Sequence, residues 1–338
     1  MPTLLAGFDD RLLRVSRDGD GWTATTVREG DDLQAVGAHR GAPERWFVGT
    51  FDRGLQRTLD GGASWEAVGT DTIEPDAVTS VAVDPSDPGV VYAGTEPSRV
   101  YRSTDGGASW RHLEGLTDLP SADRWSFPPR PSTHHVRWIE VNPANPEHLY
   151  VSIEAGALVQ SPDGGKTWTD RVADSRRDNH ELTTHPAAPG HAWAAAGDGF
   201  AETADGGETW QHPQRGLEHR YCWSVAADPA DPDRLLLSAA RGPGRAHTPG
   251  RAESYVYRRE IHDLDGEAVW ARSGEGLPDG HGMLRPVLER GENPGAVFAA
   301  TNLGLFRTDS MGQEWHALAL EWPSALESQP PSGLVVLF

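Results

Sequence analysis

Apolar and polar residues alternate in short runs along the whole chain, and the runs end at Pro, Gly or Asp. Val78 to Val83 alternates and stops at Asp84-Pro85. Val90 to Thr95 follows, and then Arg99 to Ser103 and Ser109 to Leu113 flank an Asp-Gly-Gly turn. Period-two runs of this length, bounded by turn residues, predict four antiparallel strands, A to D. The order recurs. Val90-Val91-Tyr92-Ala93-Gly94-Thr95 has counterparts at Arg45 to Thr50, His148 to Ile153 and Ala296 to Thr301. The turn from A to B recurs as Asp84 to Pro88, Asn142 to Pro146 and Asp228 to Pro232.

The turn from C to D is the sharpest marker. Its frame, Ser/Thr-x-Asp-Gly-Gly-x-Ser/Thr-Trp, occurs at Thr58 to Trp65, Ser103 to Trp110, Ser161 to Trp168 and Thr203 to Trp210. Weaker forms sit at Ser16 to Trp22, Asp263 to Trp270 and Thr308 to Trp315, the last with Ser310-Met311-Gly312 in place of Asp-Gly-Gly. The closing Trp residues count seven repeats, most of them about 43 residues apart, a length that fits four short strands. The glycines suit positive φ in a tight turn. The carboxylates of Asp60, Asp105, Asp163 and Asp205 are placed to accept the turn's amides, so their role is structural. The expected fold is an all-β, seven-bladed propeller of four-stranded blades, one domain over residues 1–338. The first repeat starts at its strand B, Thr3 to Phe8, and Gly333 to Phe338 has no repeat of its own. This last run is expected to fill the inner place of blade one and close the ring.

Composition narrows the partners. The net charge of −20 argues against nucleic acid and anionic membranes. Lys166 is the only lysine among 30 basic residues, which fits either a salt-loving source or a GC-rich genome. Cys222 is alone, so no disulfide framework exists, and its expected role is that of a small buried hydrophobe. The first ten residues lack the basic region and apolar run of a signal peptide, and no segment approaches a membrane span. The expectation is a soluble, cytoplasmic monomer.

Through its Asp-Gly-Gly turns the chain resembles the BNR, or Asp-box, repeat propellers. That group includes sialidases, sortilin-type receptors, xyloglucanases and a photosystem II assembly factor. The resemblance runs through nearly all the repeats and implies architecture, because the family's boxes lie away from its active sites.

If the A–B and C–D turns share one face, function is expected on the other. Residues two positions before the first buried Val of strand A (Val81 in the third repeat) are Gln34, Thr79, Arg137, His180, Trp223 and Arg285. Two positions earlier stand Asp32, Ala77, His135, Asp178, Tyr221 and Met283. At the end of strand B come Asp9, Phe51, Glu96, Glu154, Asp198, Arg241 and Asn302. Scaffolding alone would favour small or apolar residues here. The polar bias, with His134 and His219 nearby, predicts a pocket offset toward blades four to six.

Four chemistries fit such a pocket. Arg137, Arg241 and Arg285 can clamp a carboxylate or phosphate. The resemblance to sialidases implies an arginine triad with a Tyr nucleophile, a Glu partner and an Asp acid/base. Tyr221 with Glu154 is the nearest imitation, but the family's N-terminal Arg-Ile-Pro signature is missing. Glu96 and Glu154, with Asp178 and Asp198 near, suit glycoside hydrolysis by paired carboxylates. His135, Glu154, Asp178 and His180 offer ligands for a divalent metal, Zn, Mn or Fe, in a lyase or hydrolase. Last, the Arg residues and Trp223 suit a non-enzymatic docking surface for a protein partner. The leading expectation is a small anionic or sugar-like ligand, with Glu154, Asp178, His180 and Tyr221 as catalytic candidates. His135, Arg137, Trp223, Arg241, Arg285 and Glu96 are the candidates for binding it.

Overall fold

In the computed structural model, residues 2–19, 21–261 and 268–338 are described. The weak turn copies at 16–22 and 263–270 therefore lie partly outside the described residues. Seven antiparallel sheets form in chain order. Each has its first strand against the first strand of the next sheet, and the last adjoins the first again. The chain is a seven-bladed β-propeller. The strands of the third blade run Ala77–Val83, Val91–Glu96, Val100–Ser103 and Arg111–Leu113, within two residues of the sequence expectation.

Closure follows the expected route. Pro331–Leu337 pairs antiparallel with Thr3–Phe8 and becomes the innermost strand of blade one. This strand and its partner carry Leu4, Leu5, Leu334 and Leu337 into the packing between blades one, two and seven. Two blades depart from four full strands. In blades four and five the outer strand shrinks to one bridge, Gln160 with Thr169 and Glu202 with Gln211. In blade five Pro213, two residues past the bridge, has no N–H for a ladder. In blade four the next residue, Asp170, turns its carboxylate to the backbone N and Oγ of Ser121 instead.

The Asp-Gly-Gly hairpins explain their own sequence. In blade three, Gly106 and Gly107 sit at φ of 70° and 83°. Asp105 accepts Ser109 N at 2.9 Å and Ser109 Oγ at 2.6 Å, and Ser103 Oγ accepts Gly107 N at 2.8 Å. Asp60, Asp163 and Asp205 repeat the arrangement. Bonds led by that from Ser109 hold the Asp105 carboxyl down at about 2. In blade seven Ser310 takes the aspartate's place and accepts Glu314 N at 3.1 Å. Four closing tryptophans tie a blade to its predecessor: Trp65 Nε1 donates to Val27 O, Trp168 to Glu114 O, Trp270 to Pro213 O and Trp315 to Ser273 Oγ.

At the A–B turns one residue accepts the amide two places on. Asp84, Asn142 and Asp228 do this with a carboxyl or amide oxygen. His39 and His185 do it with Nδ1, which identifies two histidines as turn-formers.

The axis is organised by a repeated defect. The register of the innermost strand slips between Leu33/Ala35, Val78/Ser80, Val136/Trp138, Asn179/Glu181 and Cys222/Ser224. In blade one the partners pass from Gly333 to Pro331. The residue left over is Gln34, Thr79, Arg137, His180, Trp223 or Ser332. A bulge re-aims the unpaired side chain. Beside each slip the second strand carries a small residue: Gly7, Gly49, Gly94, Ser152, Ala195 or Ser238. A Cβ on Gly49 would stand 2.4 Å from Val78 O, and one on Gly94 would stand 2.4 Å from Val136 Cγ1. Neighbouring blades pass too closely there for a larger side chain.

The opposite mouth of the channel is a cavity of about 460 Å³, lined by Val81, Pro143, Glu140, Glu289 and the C-terminal strand among others. Glu140 Oε1 accepts Thr184 N and Oγ1, bridging blades four and five. Burial, with the charge of Glu140 adding to it against the pull of Arg290, pushes Glu289 up to about 7.

Two outcomes are expected. Gly49→Ala should lower stability by about 1–3 kcal/mol through overpacking, while Gly242→Ala, with open space around it, leaves the melting temperature unchanged. Second, a carboxyl raised in the folded state stabilises below its unfolded value and loses that contribution as pH rises through the folded one. Its contribution to the melting temperature should therefore fall between about pH 4.5 and 7 and level off above, so that wild type falls more than Glu289→Gln across that window, followed by circular dichroism.

Candidate functional site

Six of the seven axial residues, Gln34, Thr79, Arg137, Trp223, Arg285 and Ser332, line one cavity of about 190 Å³ on the face opposite the Asp-Gly-Gly turns. The seventh, His180, is fully buried just behind it. Loops complete the wall. The segment after blade three folds back through two short 3₁₀ turns and brings Phe127 and Arg130 to the rim. The blade-six loop forms a short helix, Pro243–His247, that delivers His247. These three residues had no sequence signal beyond lying in long loops. Only their position over a rigid scaffold could have drawn attention to them.

One half of the site is aromatic and cationic. Trp223 is 4% exposed. The guanidinium of Arg285 lies 3.9 Å from its ring centroid and that of Arg137 lies 4.7 Å away, an arrangement that gains from the ring quadrupole. The His247 ring meets Trp223 edge-on at 4.9 Å. Arg285 Nε donates to His247 Nδ1 at 3.1 Å, so His247 Nε2 carries the proton and donates to Tyr221 Oη at 2.9 Å. Arg285 also donates to Pro331 O. Burial, then the Arg137 charge, pull Arg285 down to about 9, and burial and the Arg285 charge pull His247 down to about 3. Tyr221 is pushed up by burial and by the charges of Glu154 and Asp178. Burial also raises Asp9 on the same wall, against the pull of Arg285. Arg137 differs from Arg285. Its ion-pair partner is Glu154, at 3.8 Å, and it makes no side-chain hydrogen bond among the described residues.

The other half is carboxylate and imidazole. Glu154 Oε2 accepts from His135 Nε2 at 2.9 Å. His135 Nδ1 stands 3.7 Å from Glu96, which is gripped by both nitrogens of the Arg130 fork, at 2.8 and 2.5 Å. Glu154 Oε1 and Asp178 Oδ2 each stand 3.9 Å from His180 Nε2. Burial pushes Glu154 up, but the His135 hydrogen bond and the nearby positive charges outweigh it and hold the group down at about 2. Asp178 goes the other way, raised by burial and by the Glu154 charge against the pull of His180.

Of the sequence candidates, Glu154, His135, Arg137, Trp223 and Arg285 line the cavity, while Asp178, His180 and Tyr221 do not line it but adjoin its wall through Glu154 and His247. Glu96 stands one step back, tied to Arg130. His135 stands behind Glu154 rather than beside His180. Arg241 is exposed on its loop and does not line the cavity. His134 packs edge-on against Trp125, and His219 bonds Tyr257 Oη, so both serve packing. Cys222 is fully buried, with its thiol pushed up to about 12 by burial. Its carbonyl, not its sulfur, serves the site, accepting from His180 Nδ1 at 2.6 Å. Among the described residues no helix is long and apolar enough to cross a membrane.

No protein-family model matches the chain, and no curated protein matches it by sequence. Solved structures match in fold. A GH74 enzyme of Niastella koreensis is 15% identical over 93% of this chain, with a TM-score of 0.67. The GH74 xyloglucanase of Xanthomonas campestris is 16% identical over 93%, also at 0.67. The chain spans only 51% and 52% of those two enzymes. YCF48, solved bound to a D1 peptide, is 19% identical over 85% of this chain and 81% of its own, with a TM-score of 0.56. At these identities the likeness is one of fold.

Proposed function

We propose that the chain is an Asp-box propeller whose axial cavity binds a small anionic, sugar-like ligand, with the anion held by Arg137 and Arg285. The observation that carries this reading is the Arg137 guanidinium. Its side chain is 13% exposed, it faces the cavity, and no hydrogen bond satisfies its fork among the described residues. The fork is thus open to a ligand, and a carboxylate or phosphate matches its geometry with two parallel bonds. Arg285 stands on the same indole as the second arm of the clamp. The GH74 neighbours support the sugar-like part through fold alone.

Isothermal titration with glucuronate, inorganic phosphate and neutral glucose tests the reading. Glucuronate should bind and glucose should not. Arg137→Met, which keeps the stem over Trp223, should weaken glucuronate by at least about tenfold, the worth of one charge-assisted pair. Equal binding of glucuronate by wild type and variant would remove Arg137 from the clamp.

A second reading, hydrolysis of that ligand, is favoured by one observation. Asp178 is raised while Glu154 is held ionised, which is how an acid and its partner divide their work. Turnover of aryl glucuronides and sialosides, abolished in Asp178→Asn, would support it. Turnover that survives that substitution would dismiss Asp178 as the acid.

A further inference from the structure

His180 fixes its own tautomer. Its Nδ1 lies 2.6 Å from the Cys222 carbonyl, which can only accept, so Nδ1 carries hydrogen. Nε2 then presents a bare lone pair. The side chain is fully buried, and Nε2 has no hydrogen-bond partner among the described residues. It faces two carboxylate oxygens, Glu154 Oε1 and Asp178 Oδ2, at 3.9 Å each. An imidazolium donating to a carboxylate would close to about 2.7–2.9 Å. A lone pair and two carboxylates at this longer spacing call for a cation among them.

The three atoms lie within 4.8 Å of one another. Ligands at about 2.0–2.2 Å from one ion stand roughly 3–3.6 Å apart, so a contraction of a few tenths of an ångström to about an ångström closes the set. Each ligand is already held from behind. His135 Nε2 holds the second oxygen of Glu154, Ala155 N donates to the second oxygen of Asp178 at 3.0 Å, and the Cys222 carbonyl holds His180. Outer partners of this kind orient metal ligands and set the histidine tautomer. The Asp178 side chain is 31% exposed, which leaves a way in.

We propose that Glu154 Oε1, Asp178 Oδ2 and His180 Nε2 hold one divalent transition-metal ion, Zn²⁺ or Mn²⁺. One nitrogen and two oxygens suit these ions. The site goes beyond the anion-binding reading and does not need it, since it uses neither Arg137 nor Arg285. It gives Asp178 a different role from that of an acid, because a ligating carboxylate is unprotonated, and loaded and stripped protein tell the two roles apart.

The full chain, stripped with EDTA, is dialysed against Zn²⁺ or Mn²⁺ without added anion, desalted and analysed for metal by mass spectrometry. One ion per chain should be retained from at least one of the two metals, and that metal should raise the melting temperature. Asp178→Asn keeps the acceptor for Ala155 N and should fold like wild type in EDTA, yet bind the ion at least about tenfold more weakly. His180→Gln should do the same. Retention of neither metal by wild type, or unaltered retention by a folded Asp178→Asn, overturns the proposal. Glucuronate titrations on stripped and loaded protein keep the two readings apart, because loss of anion binding with metal retained counts only against the clamp.

Discussion

Crowding at a shared axis governs this molecule. Seven innermost strands converge, and each must let the next blade's backbone pass. In six of the seven blades the chain meets that constraint with one paired device: a small residue on the second strand beside an extra residue on the first. Gly49 lies beside Gln34, Gly94 beside Thr79 and Ser152 beside Arg137. The small residue admits the neighbour and the bulge turns one side chain to the channel. Packing between blades and the contents of the cavity thus have the same cause.

Much of the fold was legible because turns and strands are local. Asp105, Gly106 and Gly107 are dictated within a few residues by φ and by amide satisfaction, and the hairpin appears where that logic puts it. The axial positions were found by counting back from buried valines, but the counting gave no cause. A bulge is a relation between two strands, and neither strand's periodicity records it. Arg130, Phe127 and His247 escaped notice because their loops' return path depends on tertiary contacts. Glu140 and Glu289 escaped because an inner-strand carboxyl reads as a solvated residue until its surroundings are seen. The reduced outer strands of blades four and five were hidden for a similar reason. Asp170 leaves the ladder for Ser121, far off in sequence.

Electrostatically the cavity is divided within a few ångströms. Arg137 and Arg285 share an indole, while Glu154, Asp178 and His180 turn negative charge and a lone pair toward one another. Neither half is neutral in itself, and His135 and Arg137 couple them through Glu154. A site that keeps unlike charges adjacent without letting them fully pair is preorganised for a polar ligand, since little rearrangement remains when one arrives.

The unpaired inner-strand residue has one more consequence. Because it stands outside the ladder, its identity is decoupled from the backbone bonds that hold the sheet. Gln, Thr, Arg, His, Trp and Ser all occupy the equivalent place in one chain. Duplication of such a unit yields a ring of slots that mutation can refill one at a time while the architecture stays constant. The propeller is in this sense a frame with interchangeable parts, and chemistry can drift at its centre without a toll on the strands around it.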